Sequence, residues 1–239
     1  MANCGAIAAG GVAAGIYATN LPDACKYISE HSKAKVVVCE GVKQLEKYYE
    51  ISKDLPNLKA LVVYGPDALP SDIKSKCAVP VYTFEDFLAL GKDVFNADLK
   101  ARSDSCKPGE VCTLIYTSGT TGPPKAVMIT NDNITWTVQT MMFCTPRGYM
   151  DHTDVMLSYL PLSHIAAQML DLHQPLETGC QIYFAQPDAL KGSLGVTLKE
   201  VRPTIFFGVP RVWEKIYGKH EKQARETTDT RLFLLRVSK

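Results

Sequence analysis

The stretch from Tyr116 to Lys125, with the sequence YTSGTTGPPK, combines residue types that can bind a polyphosphate. Glycines let the backbone approach a ligand closely, hydroxyl side chains donate hydrogen bonds, and the lysine supplies a positive point charge. The candidate phosphate-binding residues are Thr117, Ser118, Gly119, Thr120, Thr121, Gly122 and Lys125. Glycine, threonine and proline also form plain hairpin turns, so composition alone leaves a phosphate-binding loop and a hairpin turn about equally open.

The spacing within this stretch argues against an ordinary P-loop. A Walker P-loop has four residues between its two glycines, places its lysine directly after the second glycine, and opens a helix. Here two residues separate Gly119 from Gly122, and Lys125 is followed by residues 126–130, an apolar run that predicts a strand. A kinase or GTPase of the P-loop type is therefore a poor match.

Short apolar strands alternate with helical segments along the chain, which is the pattern of an α/β sheet built by crossover connections. The predicted strands are residues 36–39, 58–64, 111–117, 155–160, 181–185 and 204–207. The predicted helices are residues 22–31, 42–54, 83–90, 132–143, 165–177, 189–201 and a long one from 209 onward. Because the strands are almost continuously apolar, we expect both of their faces to be covered.

Two further segments carry weaker signals. Residues 2–18 are uncharged and predict a buried helix that runs into a strand. No lysine or arginine precedes them, and their four glycines make them far less apolar than a membrane span, so we expect no transmembrane segment. Residues 96–109 are polar and end in Lys-Pro-Gly, which predicts a surface connector.

Composition narrows the class of protein. Of the 239 residues, 46% are hydrophobic and 21% are charged, as in soluble globular proteins. The formal net charge of +1 provides no overall field for nucleic acid, which we do not expect as a partner. The eight cysteines stand singly, without a C-x-x-C pair or a zinc-type cluster. We therefore expect free thiols, no protein metal site and a cytoplasmic setting.

The order of residues in the loop decides between a phosphate site and a turn, because TSGTTGxPK resembles the signature loop of the adenylate-forming superfamily. That superfamily includes acyl-CoA synthetases, luciferases and peptide-synthetase adenylation domains. The resemblance implies an α/β fold, namely a portion of the large N-terminal domain with mixed sheets flanked by helices. It also implies that a carboxylate attacks the α-phosphate of Mg-ATP, that the loop holds the β- and γ-phosphates, and that a thiol then displaces AMP.

One position departs from the pattern of that superfamily, which commonly has glycine after the loop lysine. This chain has Ala126 there. The methyl group would be strained only if the backbone at this position has a positive φ.

Further blocks narrow the resemblance to long-chain fatty acyl-CoA synthetases. SYLPLSHIAAQ at residues 158–168 looks like a motif whose histidine borders the acyl pocket, which assigns His164 to that pocket. A histidine at such a junction is more often a hydrogen-bonded structural group. Residues 183–194 and 201–216 resemble the same branch, and the former with SHIAAQ looks like the bubblegum subfamily.

In this resemblance Gly208, Val209 and Pro210 lie near the adenylate and the acyl tunnel, where a strand gives way to a helix. The alternative is that Val209 and Pro210 merely start a helix.

The resemblance covers nearly the whole chain, so residues 1–239 are interpreted as an incomplete N-terminal AMP-binding domain that lacks the C-terminal lid domain. The YGxTE and TGD blocks and the lid lysine of the family are missing, so no catalytic residue is assigned. The resemblance implies a long-chain fatty acid–CoA ligase that uses ATP, Mg²⁺ and CoA. The alternative is an incomplete fragment that only binds ATP or an acyl ligand, or that partners full-length relatives. Peripheral attachment to the endoplasmic reticulum or another membrane is compatible with either.

Overall fold

The computed structural model describes residues 1–94, 96–117, 123–145, 148–218 and 221. The strands are β1 (Ala13–Gly15), β2 (Val36–Glu40), β3 (Ala60–Tyr64), β4 (Val81–Thr83), β5 (Val111–Thr117), β6 (Lys125–Thr130), β7 (Val155–Ser158) and β8 (Gln181–Phe184). The α-helices are α1 (Ala2–Ala8), α2 (Pro22–His31), α3 (Gly41–Leu45), α4 (Tyr48–Ile51), α5 (Ile73–Lys76), α6 (Phe84–Ala89), α7 (Asn96–Ser105), α8 (Asn131–Met142), α9 (Ile165–Ala167), α10 (Gln174–Thr178), α11 (Leu194–Val201) and α12 (residues 210–218).

The chain divides into two compact units. The first consists of residues 1–140 and 161–170, and the second of residues 141–160 and the residues from 171 onward. Each unit has its own sheet structure, and the candidate phosphate loop belongs to the first.

The first unit contains a parallel sheet in the order β2–β3–β4. Strand β3 is central, and its neighbouring residues Leu61 and Val62, whose side chains point to opposite faces, are both fully buried. Buried residues of α2, α3 and α4 join the core of this sheet. The parallel pairing and the covered faces of β3 confirm the expectation from its apolar sequence.

A second sheet of the first unit is mixed, in the order β1–β5–β6. Strand β5 pairs with β1 in parallel and with β6 in antiparallel orientation. The buried hydroxyl of Thr113 donates a hydrogen bond to the carbonyl of Ala13 at 3.0 Å, which ties β5 to β1. Because β5 and β6 are antiparallel neighbours, the sheet fixes Thr117 and Lys125, the two ends of the stretch between them.

The second unit contains the parallel pair β7–β8 and a core formed by buried Leu157, Ala189, Leu194 and Val212. The predicted strand at residues 204–207 is wrong in extent, because only an isolated bridge between Ile205 and Met156 forms. Beyond this bridge, the backbone carbonyl groups pair with side chains and with the following helix instead of with a strand.

Several helical predictions are corrected. The connector predicted at residues 96–109 is wrong over Asn96–Ser105, where α7 forms. This helix has no buried residue and only one large apolar side chain, Leu99, so it lacks the apolar periodicity that reveals a helix in sequence. An i,i+4 ion pair between Lys100 and Asp104, 2.6 Å apart, supports it. At the N-terminus, helix α1 and strand β1 form as predicted, but α1 has no buried residue.

The remaining long helices are interrupted. The predicted helix 42–54 is α3, α4 and a short 3₁₀ turn, and the predicted helix 189–201 is a 3₁₀ turn followed by α11, with Gly192 at φ 159° between them. The predicted helix 165–177 contains a π-helix at Gln168–His173. Among the residues that the structure describes, none of the helices combines the length and the hydropathy that a membrane span requires.

Candidate functional site

The two described ends of the candidate phosphate loop face each other across the β5–β6 pair. Thr117 is the last residue of β5, Lys125 is the first of β6, and the two are partners in the sheet register. The hydroxyl of Thr117 lies 3.5 Å from the carbonyl oxygen of Lys125, and both side chains are exposed. The other predicted loop residues lie outside the described part of the chain: Ser118, Gly119, Thr120, Thr121 and Gly122.

The alanine after the loop lysine is unstrained. Ala126 lies in β6 opposite Tyr116. Among the described residues other than glycine, only Lys33 and Arg202 have a positive φ. The methyl group at this position is therefore compatible with the extended backbone.

His164 lies at the N-terminus of α9, where its Nδ1 accepts a hydrogen bond from the backbone N–H of Ala166 at 3.1 Å. This bond requires an unprotonated Nδ1, so the proton of the neutral ring is on Nε2. The hydrogen-bonded structural role that the sequence left open is thus observed. The assignment of His164 to an acyl pocket stays a prediction.

The segment that carries His164 is seated against the mixed sheet. A Cβ added to Gly15 would lie 2.9 Å from the Cα of Ser163, so the two backbones are in close contact. Gly15 ends β1 and pairs with Ile115 of β5. Because the carboxyl ends of parallel strands share one edge of a sheet, His164 lies in the same unit and near the same edge as the loop ends.

Gly208, Val209 and Pro210 belong to the second unit. The carbonyl of Gly208 accepts a hydrogen bond from the indole N–H of Trp213 at 2.8 Å, and a Cβ at Gly208 would lie 2.7 Å from that nitrogen. The carbonyl of Val209 accepts the first N–H bonds of α12, which begins at Pro210. The helix start is therefore observed, whereas the adenylate and acyl role stays a prediction.

An aromatic cluster fixes this turn. The ring of Phe206 stacks on Tyr159 with centroids 5.5 Å apart and meets Trp213 edge-on at 5.4 Å. The hydroxyl of Tyr159 donates to the carbonyl of Phe207 at 3.1 Å. Burial raises the pKa of Tyr159, which keeps its hydroxyl protonated as a donor.

Sequence reasoning missed two groups. Tyr27 and His31, both on α2, contact the two ends of the loop, and their i,i+4 spacing places them on one helix face without indicating what they contact. Asp171 lies in the π-helix at Gln168–His173, a type of distortion that frequently marks functional sites. Burial raises the pKa of Asp171 to about 6, although a hydrogen bond with Ser158 opposes the shift.

We expect Asp171→Asn to stabilise the protein at pH 7 by about 1–2 kcal/mol, allowing for solvent screening. The raised pKa means that the folded protein binds more protons than the unfolded chain between pH 4 and 6. The free energy of unfolding therefore falls as the pH rises through this window, and the variant lacks that fall. Urea unfolding of both proteins at pH 4, 5, 6 and 7 measures the difference.

His173 also contributes to the pH dependence of stability, because burial lowers its pKa. It is present in both proteins, so its contribution largely cancels in the difference between them. A difference that stays constant from pH 4 to 7 would contradict the shifted pKa of Asp171.

Elsewhere in the described residues, no group of three or more histidine, cysteine, aspartate or glutamate side chains could hold a metal ion. All eight cysteines lie in the described residues, and none of them forms a disulfide. Burial raises the pKa of Cys39 to about 12, so this thiol is unreactive at neutral pH.

Residues 1–237 match the family described as AMP-binding enzyme. The long-chain-fatty-acid–CoA ligase ACSBG2 of Xenopus laevis is 49% identical over 220 residues, which cover 92% of this chain and 29% of that protein. The human long-chain-fatty-acid–CoA ligase ACSBG1 is 46% identical over 227 residues, which cover 93% of this chain and 30% of that protein. The chain thus spans about a third or less of the length of these curated relatives.

Solved structures share the fold. The adenylation domain of a carboxylate reductase from Mycobacterium chelonae has a TM-score of 0.69 at 20% identity, covering 90% of this chain and 34% of that one. The corresponding domain from Segniliparus rugosus, in complex with AMP and a co-purified carboxylic acid, has a TM-score of 0.64 at 20% identity, covering 95% and 43%. The likeness confirms the predicted α/β fold of mixed sheets flanked by helices.

Proposed function

The chain belongs to the AMP-binding enzyme family, and on that basis we propose that it forms the phosphate- and acyl-binding part of a long-chain fatty acid–CoA ligase. Such a ligase activates a fatty acid with ATP to an acyl-adenylate, releases pyrophosphate, and transfers the acyl group to CoA with release of AMP. The strongest support is the TSGTTGPPK stretch between β5 and β6, with Thr117 and Lys125 held at its two ends.

We propose that the loop stabilises the negative charge of the ATP phosphates. Lys125 would pair with the β- and γ-phosphates of ATP, and Thr117 would donate its hydroxyl to a phosphate oxygen, together with the hydroxyls and amides of residues 118–122. Negative charge builds on the leaving pyrophosphate as the carboxylate attacks the α-phosphate. Donors already in place lower the energy of that state more than that of the bound substrate. Mg²⁺ would accompany ATP, since it usually binds through phosphates, waters and one or two carboxylates.

The proposed acyl and adenylate roles are assigned residue by residue. His164 would line the pocket through the ring edge that its helix cap leaves available, and Gly208, Val209 and Pro210 would border the adenylate. The names of the curated relatives support a long-chain fatty acid as the acyl donor and CoA as the acceptor. The protein would act in the cytoplasm, or on the surface of the endoplasmic reticulum or another membrane, where such acids partition.

A second candidate is a binding function without turnover. The 239 residues contain no YGxTE block, no TGD block and no lid lysine, so we propose that they form an incomplete N-terminal domain. Without the ribose and lid contacts, most of the stabilisation of the transition state would be lost. The chain by itself would then bind ATP or an acyl ligand, or partner full-length relatives.

The substrate class is tested by measuring acyl-CoA and AMP formed by a chain extended along the length of the relatives. We expect palmitate to be used at least about 100-fold more efficiently than acetate, since each buried methylene contributes about 0.8 kcal/mol. Benzoate serves as a control for aryl-acid ligases. Equal use of benzoate and palmitate would contradict a long-chain specificity.

A further inference from the structure

Helix α2 carries two side chains, one helical turn apart, that reach both ends of the β5–β6 connection. The hydroxyl of Tyr27 donates a hydrogen bond to the carbonyl of Pro124 at 3.1 Å. The Nδ1 of His31 lies 2.9 Å from the hydroxyl of Tyr116. The rings of Tyr27 and His31 stack on each other with centroids 5.5 Å apart and planes 23° apart. One face of α2 therefore contacts the residues just before and just after the candidate loop.

The contact with Pro124 acts directly on the loop lysine. The carbonyl of Pro124 and the N–H of Lys125 belong to one planar peptide unit. Fixing the carbonyl therefore fixes the direction in which the chain enters Lys125. At the other end, Tyr116 is buried and is followed directly by Thr117.

Helix α2 is itself anchored by contacts that the loop does not share. Cys25 and Ile28 are buried on its core-facing side. The hydroxyls of Ser29 and Tyr48 form a buried hydrogen bond at 3.1 Å. The helix is thus a fixed support for the two side chains that reach the loop.

Packing alone does not account for this arrangement. The ring of His31 also meets the ring of Tyr116 edge-on, with centroids 5.8 Å apart, but His31 remains exposed, so this contact buries little apolar surface. Tyr27 is only partly buried, and its polar end is the part that meets the loop. What distinguishes the pair is that two polar contacts from one helix face are directed at opposite ends of one connection.

We propose that Tyr27 and His31 are positioning residues that hold both ends of the loop in the arrangement that binds the phosphates of ATP. This inference rests on the proposed phosphate-binding function of the loop. If these ends are already ordered in the free protein, the entropic cost of ordering the loop when ATP binds is smaller. Neither side chain needs to touch the nucleotide.

The test uses the full 239-residue chain and two variants that keep an aromatic ring in place. Tyr27→Phe loses only the hydroxyl, and His31→Phe loses the ring nitrogen that meets Tyr116. Trypsin cleavage after Lys125 in the folded protein, followed by mass spectrometry, reports how firmly the loop end is held. Calorimetric titration with Mg-ATP reports the consequence for binding. We expect each variant to be cleaved about 3- to 10-fold faster and to bind ATP about 3- to 10-fold more weakly, the range for loss of one ordinary hydrogen bond.

Two controls separate positioning from general stability. Tyr48→Phe removes the buried hydrogen bond that anchors Ser29 of α2, and it leaves the contacts of α2 with the loop in place. This variant should lower the stability to urea and leave the ATP affinity unchanged. His31→Asn keeps a polar atom near the position of Nδ1 and should recover much of the affinity that His31→Phe loses.

Unchanged cleavage in Tyr27→Phe and His31→Phe would overturn the inference, as would an equal loss of ATP affinity in Tyr48→Phe. If the parent chain binds ATP and Lys125→Ala weakens it while Tyr27→Phe does not, the proposed function stands and the positioning role is wrong. If the parent chain binds no ATP, the proposed role of the loop fails, and the cleavage rates still decide whether the two side chains hold its ends.

Discussion

Replacing Lys125 by alanine is expected to weaken Mg-ATP binding by this chain roughly 10- to 150-fold, because a charge-assisted contact contributes about 1.5–3 kcal/mol. The side chain is exposed at the start of β6. Within the described part of the chain no carboxylate pairs with it, so the substitution should leave the fold intact. Isothermal titration at one fixed salt concentration measures the loss, since exposed charges are screened by salt.

Lys107→Ala provides the matched control for this substitution. Lys107 is also exposed and precedes β5, at the opposite end of that strand from the loop. Lys107→Ala removes the same charge as Lys125→Ala but at a position away from the loop. The ATP affinity of Lys107→Ala should therefore stay close to that of the parent chain. Equal weakening by the two variants would show a general charge effect and would contradict a phosphate site at Lys125.

Gly15→Ala is expected to lower the free energy of unfolding by about 1–3 kcal/mol, the usual effect of overpacking. The added Cβ would lie 2.9 Å from the Cα of Ser163, and a backbone atom cannot move aside as the end of a side chain can. The displaced segment also carries His164, so its hydrogen bond to the N–H of Ala166 should weaken. Urea unfolding monitored by circular dichroism measures the effect.

Gly5→Ala is the control for this prediction. Gly5 lies in α1, and a Cβ there would have no atom within 4 Å. Alanine favours a helix over glycine by about 0.5–1 kcal/mol, so this variant should be neutral or slightly more stable than the parent. A stabilising effect of Gly15→Ala like that of Gly5→Ala would contradict the close contact between β1 and the segment of Ser163.

Sequence patterns predicted the elements whose signals are local. Helix α2 spans the predicted residues 22–31, because Pro22 marks its first turn and its apolar residues recur at helical spacing. Strand β5 spans the predicted residues 111–117, an apolar run rich in β-branched residues. Helix α7 was missed because a helix with a single large apolar side chain carries no periodic apolar signal.

The same distinction holds for the candidate site. Thr117 and Lys125 follow from the order of residues in one short motif. The contacts of Tyr27 and His31 with the loop join residues 97 and 85 positions apart, so no local pattern shows them. Asp171 was missed because the raised pKa depends on burial within a π-helix, and a regular helical pattern does not predict that distortion.

Fatty-acid-dependent exchange of pyrophosphate into ATP tests the proposed function most directly. The 239-residue chain is compared with a chain extended along the length of its relatives to include the YGxTE, TGD and lid-lysine blocks, with palmitate as the acid. We expect exchange by the extended chain alone, because the ribose and lid contacts stabilise the transition state of adenylate formation. Exchange by the 239-residue chain would contradict its proposed incompleteness. Absence of exchange in both chains would contradict the ligase function.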